Sequence, residues 1–278
     1  MLWPLAALVV CWYASDWNWW FPKDAAGSDT AFTPIGVRID QLFYLILIIT
    51  TIVFIGTQIA LGYVLWRGAS GRDENNAWFT HGSHNLEVIW TIVPSGILLF
   101  IALYQMDTWA DYRVKSTYPK EALLNPIAEV TARQFEWRIR YPSPDRKFKS
   151  EAEVMEWLEN PKPDDLYTVN DLHVRSNEPV VIHLKSADVQ HSFFAPKLRI
   201  KQDAVPRLVI PILFNVTKAG EYELVCTELC GWGHYKMGAR IEAQTPADFE
   251  AYLRKLQAEQ NEDGVPDQSA AEEIEVIQ

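Results

Sequence analysis

From Leu42 to Trp66 the chain runs for 25 residues without one charged side chain, and this run limits the possible folds more than any other feature. At about 1.5 Å per helical residue it exceeds the ~30 Å hydrocarbon core of a bilayer. A second run of 21 residues, Leu86 to Met106, carries one ionisable group, Glu87, near its start. A soluble core helix of that length would show a polar face, and neither run does. Gly62, Pro94 and Gly96 are compatible with membrane helices, where neighbouring helices satisfy freed backbone groups. The sequence therefore predicts a hairpin of two transmembrane helices within residues 37–106. Its connecting loop, Arg67 to Asn85, and the large polar remainder then lie on opposite sides of the membrane, with both termini together. Composition agrees: 49% of residues are hydrophobic while mean hydropathy is −0.09, so apolar residues are concentrated rather than spread. Basic residues say little about orientation, because Arg67 and Arg72 in the loop are balanced by Arg38, Arg113 and Lys115.

Residues 1–36 form an N-terminal segment. Met1 to Ala14 is apolar, lacks a basic start and runs into Trp17–Trp20, which reads as a partial signal sequence. Leu8 to Cys11 faintly resembles a bacterial lipidation site. Formal charge is −11, of which −8 lies from Asp107 onward. An acidic surface excludes bulk attraction to nucleic acid and leaves a cationic partner open. Three cysteines are too few for a disulfide scaffold, and Cys11 is far from Cys226 and Cys230.

Residues 107–260 read as a β domain. Ile127 to Tyr141 alternates, with Phe135, Trp137, Ile139 and Tyr141 on one face and Glu136, Arg138 and Arg140 on the other, which predicts one half-buried strand. Pro179 to Ser186, Arg207 to Val216, Glu221 to Cys226 and Gly238 to Gln244 are further short strands, bounded by turn residues. Such spacing suggests a sandwich or barrel. Ser150 and Glu153 open a short inserted helix ended by Pro161 and Pro163. Ala247 to Gln260 is an amphipathic helix, and the acidic tail, residues 261–278, has the composition of a disordered segment.

Two thiols, an imidazole and a thioether fall within twelve residues in Cys226-Thr-Glu-Leu-Cys230-Gly-Trp-Gly-His234-Tyr-Lys-Met237. Gly231 and Gly233 disfavour a helix, so a loop folded around a bound ion is expected. A second imidazole, His191, stands in another inter-strand loop. Singly these residues have ordinary readings: a small disulfide between Cys226 and Cys230, Met237 in the core, His191 as a satisfied loop residue. Jointly they point to copper, because a thioether suits copper and is a poor partner for zinc. One cysteine would make a mononuclear site, whereas two allow both sulfurs to bridge two coppers.

Together with the helix hairpin, the segments HSFFAP, KQDAVP and CTELCGWGHYKM make the chain resemble subunit II of haem–copper cytochrome c oxidase, from about Asp40 to Tyr252. The resemblance implies an all-β, cupredoxin-like Greek-key domain holding a dinuclear copper A centre on the outer, periplasmic face of a bacterial inner membrane, with both termini on that face. It implies that Cys226 and Cys230 bridge the coppers, that His191 and His234 serve one copper each, and that Met237 and the backbone carbonyl of Glu228 complete them. It also places the Glu228 side chain, with Asp203 nearby, at a magnesium ion on the interface with the large subunit. The implied function is to accept electrons from a c-type cytochrome and pass them to haem-bearing subunit I, which reduces oxygen to water. Other oxidase subunits, membrane lipid and a donor held in a supercomplex are the further partners. No C-x-x-C-H occurs, so no haem is expected on this chain.

Two departures from the family pattern stand out. The glutamine–tryptophan pair associated with electron uptake is Gln134-Phe135 here, leaving Trp137, Trp232 and Phe135 as candidates for the donor contact. Arg207 replaces a glycine in the segment after Asp203. Glu87 opens Glu87-Val-Ile-Trp90, which resembles the family's glutamate at the mouth of a proton pathway, and an ionisable group at the start of a span is a functional candidate in its own right. Its ordinary alternative is a headgroup-exposed carboxylate favoured by a helix N-terminus. Quinol oxidases share the architecture without the copper ligands, and nitrous-oxide reductases share the loop on a longer, soluble chain. The competing classes are a membrane-anchored copper-binding or copper-transfer protein, which would exchange its metal, and a colourless zinc or disulfide module.

Overall fold

The computed structural model describes residues 6, 9–10, 32–69 and 81–263. Cys11, most of the N-terminal segment, the centre of the loop between the two runs and the acidic tail lie outside these residues. The described residues fall into two compact units, one covering Arg38–Trp109 with the few described residues before Thr30, the other joining Thr30–Val37 to Ala110 and beyond.

In the first unit, α1 (Pro34–Ala69) and α2 (His84–Tyr104) contain the charge-free runs. Both are long and apolar enough to cross a membrane. Ile52, Leu65, Leu98 and Phe100 are exposed on the isolated chain, as side chains meant for lipid or a partner helix must be. Polar side chains within the helices turn back onto their own backbone, Thr50 onto the Ile46 carbonyl at 2.9 Å and Ser95 onto that of Thr91 at 2.6 Å. A hydroxyl so used needs no water. Pro94 lies inside α2, which continues to Tyr104.

After α3 (Met106–Arg113) and α4 (Lys120–Leu124), the second unit is built from ten strands in two sheets. One sheet has the order β3-β2-β1-β5-β8, with β1 (Ala128–Arg133), β2 (Glu136–Tyr141), β3 (Leu166–Val169), β5 (Val180–Ser186) and β8 (Ile210–Phe214). The other runs β4-β10-β9-β6-β7, with β4 (Asp171–Arg175), β6 (His191–Ala195), β7 (Ile200–Ala204), β9 (Gly220–Cys226) and β10 (Gly238–Gln244). Alternate residues of both sheets supply one core, including Trp137, Ile139, Ile182, Leu184, Phe193 and Leu224. The amphipathic helix α6 (Pro246–Asp263) lays Phe249 and Leu253 on that core.

The structure adds strands β3, β4 and β7 to those read from sequence and departs from that reading elsewhere as well. Residues 127–141 are a tight hairpin rather than one strand, with Arg133 paired to Glu136 around a turn at Gln134-Phe135 that has no glycine, asparagine or aspartate to announce it. His191 is the first residue of β6 rather than part of a loop, because β6 pairs with both β7 and β9. Phe32 and Thr33 belong with the sandwich: Phe32 donates to the Lys197 carbonyl at 3.2 Å and accepts from the Thr217 N–H at 2.9 Å.

The inserted helix, α5 (Glu151–Glu159), forms as its capping residues predict. Ser150 accepts from the Glu153 N–H at 3.3 Å, and the Glu153 carboxylate reaches back to the Lys149 N–H at 2.8 Å. A buried arginine fastens it to the sheet. Arg140 donates to Glu129 at 2.6 Å, to Asp165 at 2.8 Å and to the Trp157 carbonyl at 3.0 Å. Removing one member of such a buried set leaves the others uncompensated, at a cost of about 3–5 kcal/mol.

Candidate metal centre

Two segments bring the donor atoms together. The first leads from β5 through Ala187–Gln190 to His191 at the head of β6. The second leaves β9 at Cys226 and returns at Met237. The Cys226 N–H donates to the Met237 carbonyl at 3.0 Å, closing the base of this second loop, and the Thr227 N–H donates to the Ser192 carbonyl at 3.1 Å, joining it to the first segment. A short 3-10 turn at His234–Lys236 then presents the His234 ring.

Cys226 Sγ and Cys230 Sγ are 3.9 Å apart and both thiols are free, so the small-disulfide reading does not describe this structure. His191 Nδ1 lies 3.9 Å from Cys226 Sγ, and His234 Nδ1 lies 3.7 Å from Cys230 Sγ. Met237 Sδ is 3.8 Å from Cys230 Sγ, and the Glu228 carbonyl oxygen is 3.3 Å from Cys226 Sγ. Metal–sulfur and metal–nitrogen bonds of about 2.0–2.3 Å give tetrahedral edges of roughly 3.3–3.8 Å, so these spacings match donors around a common ion. The donor set has two lobes. His191, Cys226 and Cys230 offer atoms all within 4.8 Å of one another, whereas His234 and Met237 approach from the Cys230 end.

The surroundings prepare these donors. His191 Nε2 lies 2.7 Å from Asp188 Oδ1, which holds the proton on that nitrogen and leaves Nδ1 facing the sulfur. Burial would lower the His191 pKa, but Cys226 and Asp188 on its two nitrogens raise it above the ordinary value. Burial raises the Cys226 thiol, yet hydrogen bonding with the His191 ring and with the backbone at Ser192 brings it down to about 6. Burial together with the charge of Cys226 pushes Cys230 up to about 11. Burial and the charge of one sulfur thus oppose ionisation of the other, and a cation that takes both sulfurs must displace their protons. Asp188 was not recognised as functional from sequence, although the spacing Asp-x-x-His was there to be read.

The glycines of the second loop are required by contact. Gly231 has φ +134, and a β-carbon there would lie 2.7 Å from Gln134 Nε2 and 3.2 Å from Phe135 Cζ. At Gly233 it would run into the Phe135 ring. Phe135 is thus a floor beneath the loop. Trp137, expected at a donor contact, is fully buried between the sheets, 5.7 Å from the Phe193 ring and 6.4 Å from that of His191. Its strand alternation turns it inward, so it cannot meet a docking partner. Trp232 is 79% exposed at the loop tip, beside Tyr235 at 79% and Leu229 at 80%.

Asp203, on β7, accepts from Ser192 Oγ at 2.7 Å and pairs with Lys201 at 3.3 Å. Among the described residues neither it nor the Glu228 side chain joins a group of three potential metal-binding side chains. Arg207 takes the left-handed conformation, φ 68, that a glycine would adopt freely. Glu87 sits in the first turn of α2 and is exposed. A second acidic group, Asp171, His173 and Glu242, is already held by a cation, since Arg240 donates to both oxygens of Asp171 at 2.9 and 3.0 Å.

Two family models match the chain. The family described as "Cytochrome C oxidase subunit II, transmembrane domain" matches residues 23–108, and "Cytochrome C oxidase subunit II, periplasmic domain" matches residues 127–244. The chain is 30% identical over 269 residues to cytochrome c oxidase subunit 2 of Oenothera berteroana, covering 90% of this chain and 94% of the relative. It is 28% identical over 249 residues to cytochrome c oxidase subunit 2 of Thermostichus vulcanus, covering 79% and 75%. Among solved structures, the periplasmic domain of subunit II of cytochrome oxidase from Bradyrhizobium japonicum is similar over 49% of this chain and 96% of that one, with 23% identity and a TM-score of 0.39.

Proposed function

Because this chain belongs to the cytochrome c oxidase subunit II family, as a membrane protein with a periplasmic domain, we propose that its sandwich takes electrons from a c-type cytochrome at a dinuclear copper A centre and passes them to the haem-bearing large subunit. The observation that carries this reading is the two-lobed donor set, two thiols between two imidazoles, a thioether and a carbonyl, which one tetrahedral ion cannot use in full. When bound, the copper pair would supply a one-electron couple whose charge is spread over two metals. The chain's own residues do the rest. Cys226 and Cys230 supply anionic sulfur, Asp188 fixes the tautomer of His191, and the loop backbone resists rearrangement as charge changes. His191, Cys230 and Met237 are buried, which favours a held metal over an exchanged one and counts against a copper-transfer role.

Metal analysis and electron paramagnetic resonance of the assembled oxidase test this. Two coppers assigned to this chain and a mixed-valence signal lost in Cys230→Ser are the expected results. One copper per chain, or hyperfine splitting from a single nucleus, rejects the dinuclear centre.

Under the same reading the membrane is the bacterial inner membrane, with the other oxidase subunits and lipid around the two helices and the donor free or within a supercomplex. The Glu228 carboxylate, with Asp203 nearby, would meet magnesium only once the large subunit supplies further oxygens; magnesium content unchanged in Glu228→Gln would remove that assignment. Glu87 serves the mouth of a proton pathway, a role supported by its place in the first turn of α2. Unchanged oxidase turnover in Glu87→Gln would leave it as a carboxylate favoured by the helix N-terminus.

A further inference from the structure

The turn of the β1–β2 hairpin touches both metal-binding segments at once. Its first residue, Gln134, donates its backbone N–H to Asp188 Oδ2 at 2.8 Å, and the other oxygen of Asp188 meets His191 Nε2. The Gln134 side-chain amide Nε2 donates to the carbonyl oxygen of Cys230. Its second residue, Phe135, lies under Gly231 and Gly233. These partners come from opposite ends of the donor set, 54 residues away at Asp188 and 96 residues away at Cys230.

We infer that Gln134 is a positioning residue whose side-chain amide fixes the Cys230 end of the metal centre, so that both segments are set against one rigid hairpin. This rests on the copper reading above. The chemistry selects an amide. The Cys230 carbonyl needs a donor, so an ionised carboxylate of equal length would fail there, facing an oxygen with no proton to offer. An anion would also sit beside sulfur that must itself bear negative charge. A leucine would fill the space but leave the carbonyl to rotate, and with it the Cys230 Sγ that His234 and Met237 both approach. The turn lies in neither ligand segment, so its contribution acts through Cys230 and not by touching the metal.

The assembled oxidase carries the test, comparing wild type with Gln134→Leu, Gln134→Glu and Gln134→Asn, whose amide falls one methylene short. Release of copper to a copper(I)-selective chelator under reducing conditions is timed, and the paramagnetic resonance spectrum is recorded before release. Loss of an outer hydrogen bond to a metal site commonly weakens retention by about 10-fold or more, so release about 10-fold faster, with altered copper hyperfine splitting, is expected in all three. Where one variant fails to assemble, the other two give the same answer. If Gln134→Glu behaves as wild type while Gln134→Leu releases faster, the side chain only fills space and the inference is overturned. Wild-type release and spectra in every variant also overturn it. A wild-type oxidase with no copper on this chain would instead remove the copper reading, and this inference with it.

Discussion

The two segments that carry the donors are held by different means. The first is short and ends in regular structure: His191 heads β6, Asp188 orients its ring, and β5 leads straight into it. The second is glycine-rich and holds its shape by lying on another element, the Gln134-Phe135 turn, while its tip stays in solvent. Hydrogen bonding and strand pairing fix the histidine side, whereas the cysteine side adds packing against Phe135 to its hydrogen bonds. Perturbations that act on strands should therefore reach the first segment, and changes of volume should reach the second.

The largest expected effect comes from β5. His183 is buried there, beside Glu129 in the neighbouring strand, and burial lowers its pKa from 6.5 to about 4. The unfolded chain takes up a proton near pH 6.5 while the folded chain resists until about pH 4, so stability is present above the first value and is lost as pH falls towards the second. The loss approaches about 3 kcal/mol at pH 4. β9, which feeds the second loop, has no histidine. Denaturant unfolding of the full chain in detergent at pH 7.5 and pH 4.5 should show His183→Leu losing less stability on acidification than wild type; equal losses would mean that the strand behind the first segment is not the acid-sensitive one.

Volume tests the second loop. Gly233→Ala drives a methyl group into the Phe135 ring and should cost about 2 kcal/mol, whereas Val189→Ala in the half-exposed first segment should cost little. Phe135→Leu should recover part of the Gly233→Ala loss when the two are combined, because the residues touch. Additive losses in that double-mutant cycle would show that the loop does not rest on the hairpin.

The same contrast explains what could be read from sequence. The membrane helices are legible because lipid tolerates so few charges, and the candidate metal donors because four of them, with unusual chemistry, fall within twelve residues while His191 adds a second imidazole. The hairpin is not, because Gln134-Phe135 turns without a turn residue and its support comes from partners 54 and 96 residues away. β6 and β7 are not legible because β6 is buried on both faces over His191, Ser192 and Phe193, and β7 mixes Lys201, Gln202 and Asp203 with few apolar residues. The alternation around Trp137 marks a side chain of the core rather than an aromatic available to a partner.

Asp188→Asn separates orientation from packing. Asparagine can still accept from His191, but it gives up the carboxylate charge that favours the ring's N–H, and a weakening of copper retention by about 10-fold, near 1.4 kcal/mol, is expected. The fold should stand, since an asparagine oxygen at the Oδ1 position keeps the bonds from Val189 and His191 and gives up only the one from the Gln134 N–H. Metal content after dialysis against a chelator measures it. Retention equal to wild type would mean that strand pairing alone positions His191.

The smallest change concerns the outer face of the same centre. Trp232 packs edge-on against Tyr235, with ring centroids 6.4 Å apart, and Lys236 lies over its ring at 5.1 Å. With Leu229 these residues form an exposed apolar tip on the loop that carries Cys230 and His234, while the only large apolar side chain that the first segment exposes is Val189, at 40%. An exposed indole at the centre of a contact typically contributes about 1 kcal/mol or more when a partner covers it. Trp232→Ala should therefore leave the copper spectrum and the unfolding transition intact, yet slow reduction of the centre by a c-type cytochrome by about 5-fold at sub-saturating donor. The acidic charge elsewhere on the domain makes both rates fall as salt rises, so the ratio between them should persist across a salt series. Val189→Ala should not slow the reaction. If it slows reduction as much as Trp232→Ala does, the donor rests on both segments equally and the contrast between the first segment and the exposed tip of the second loop does not extend to docking.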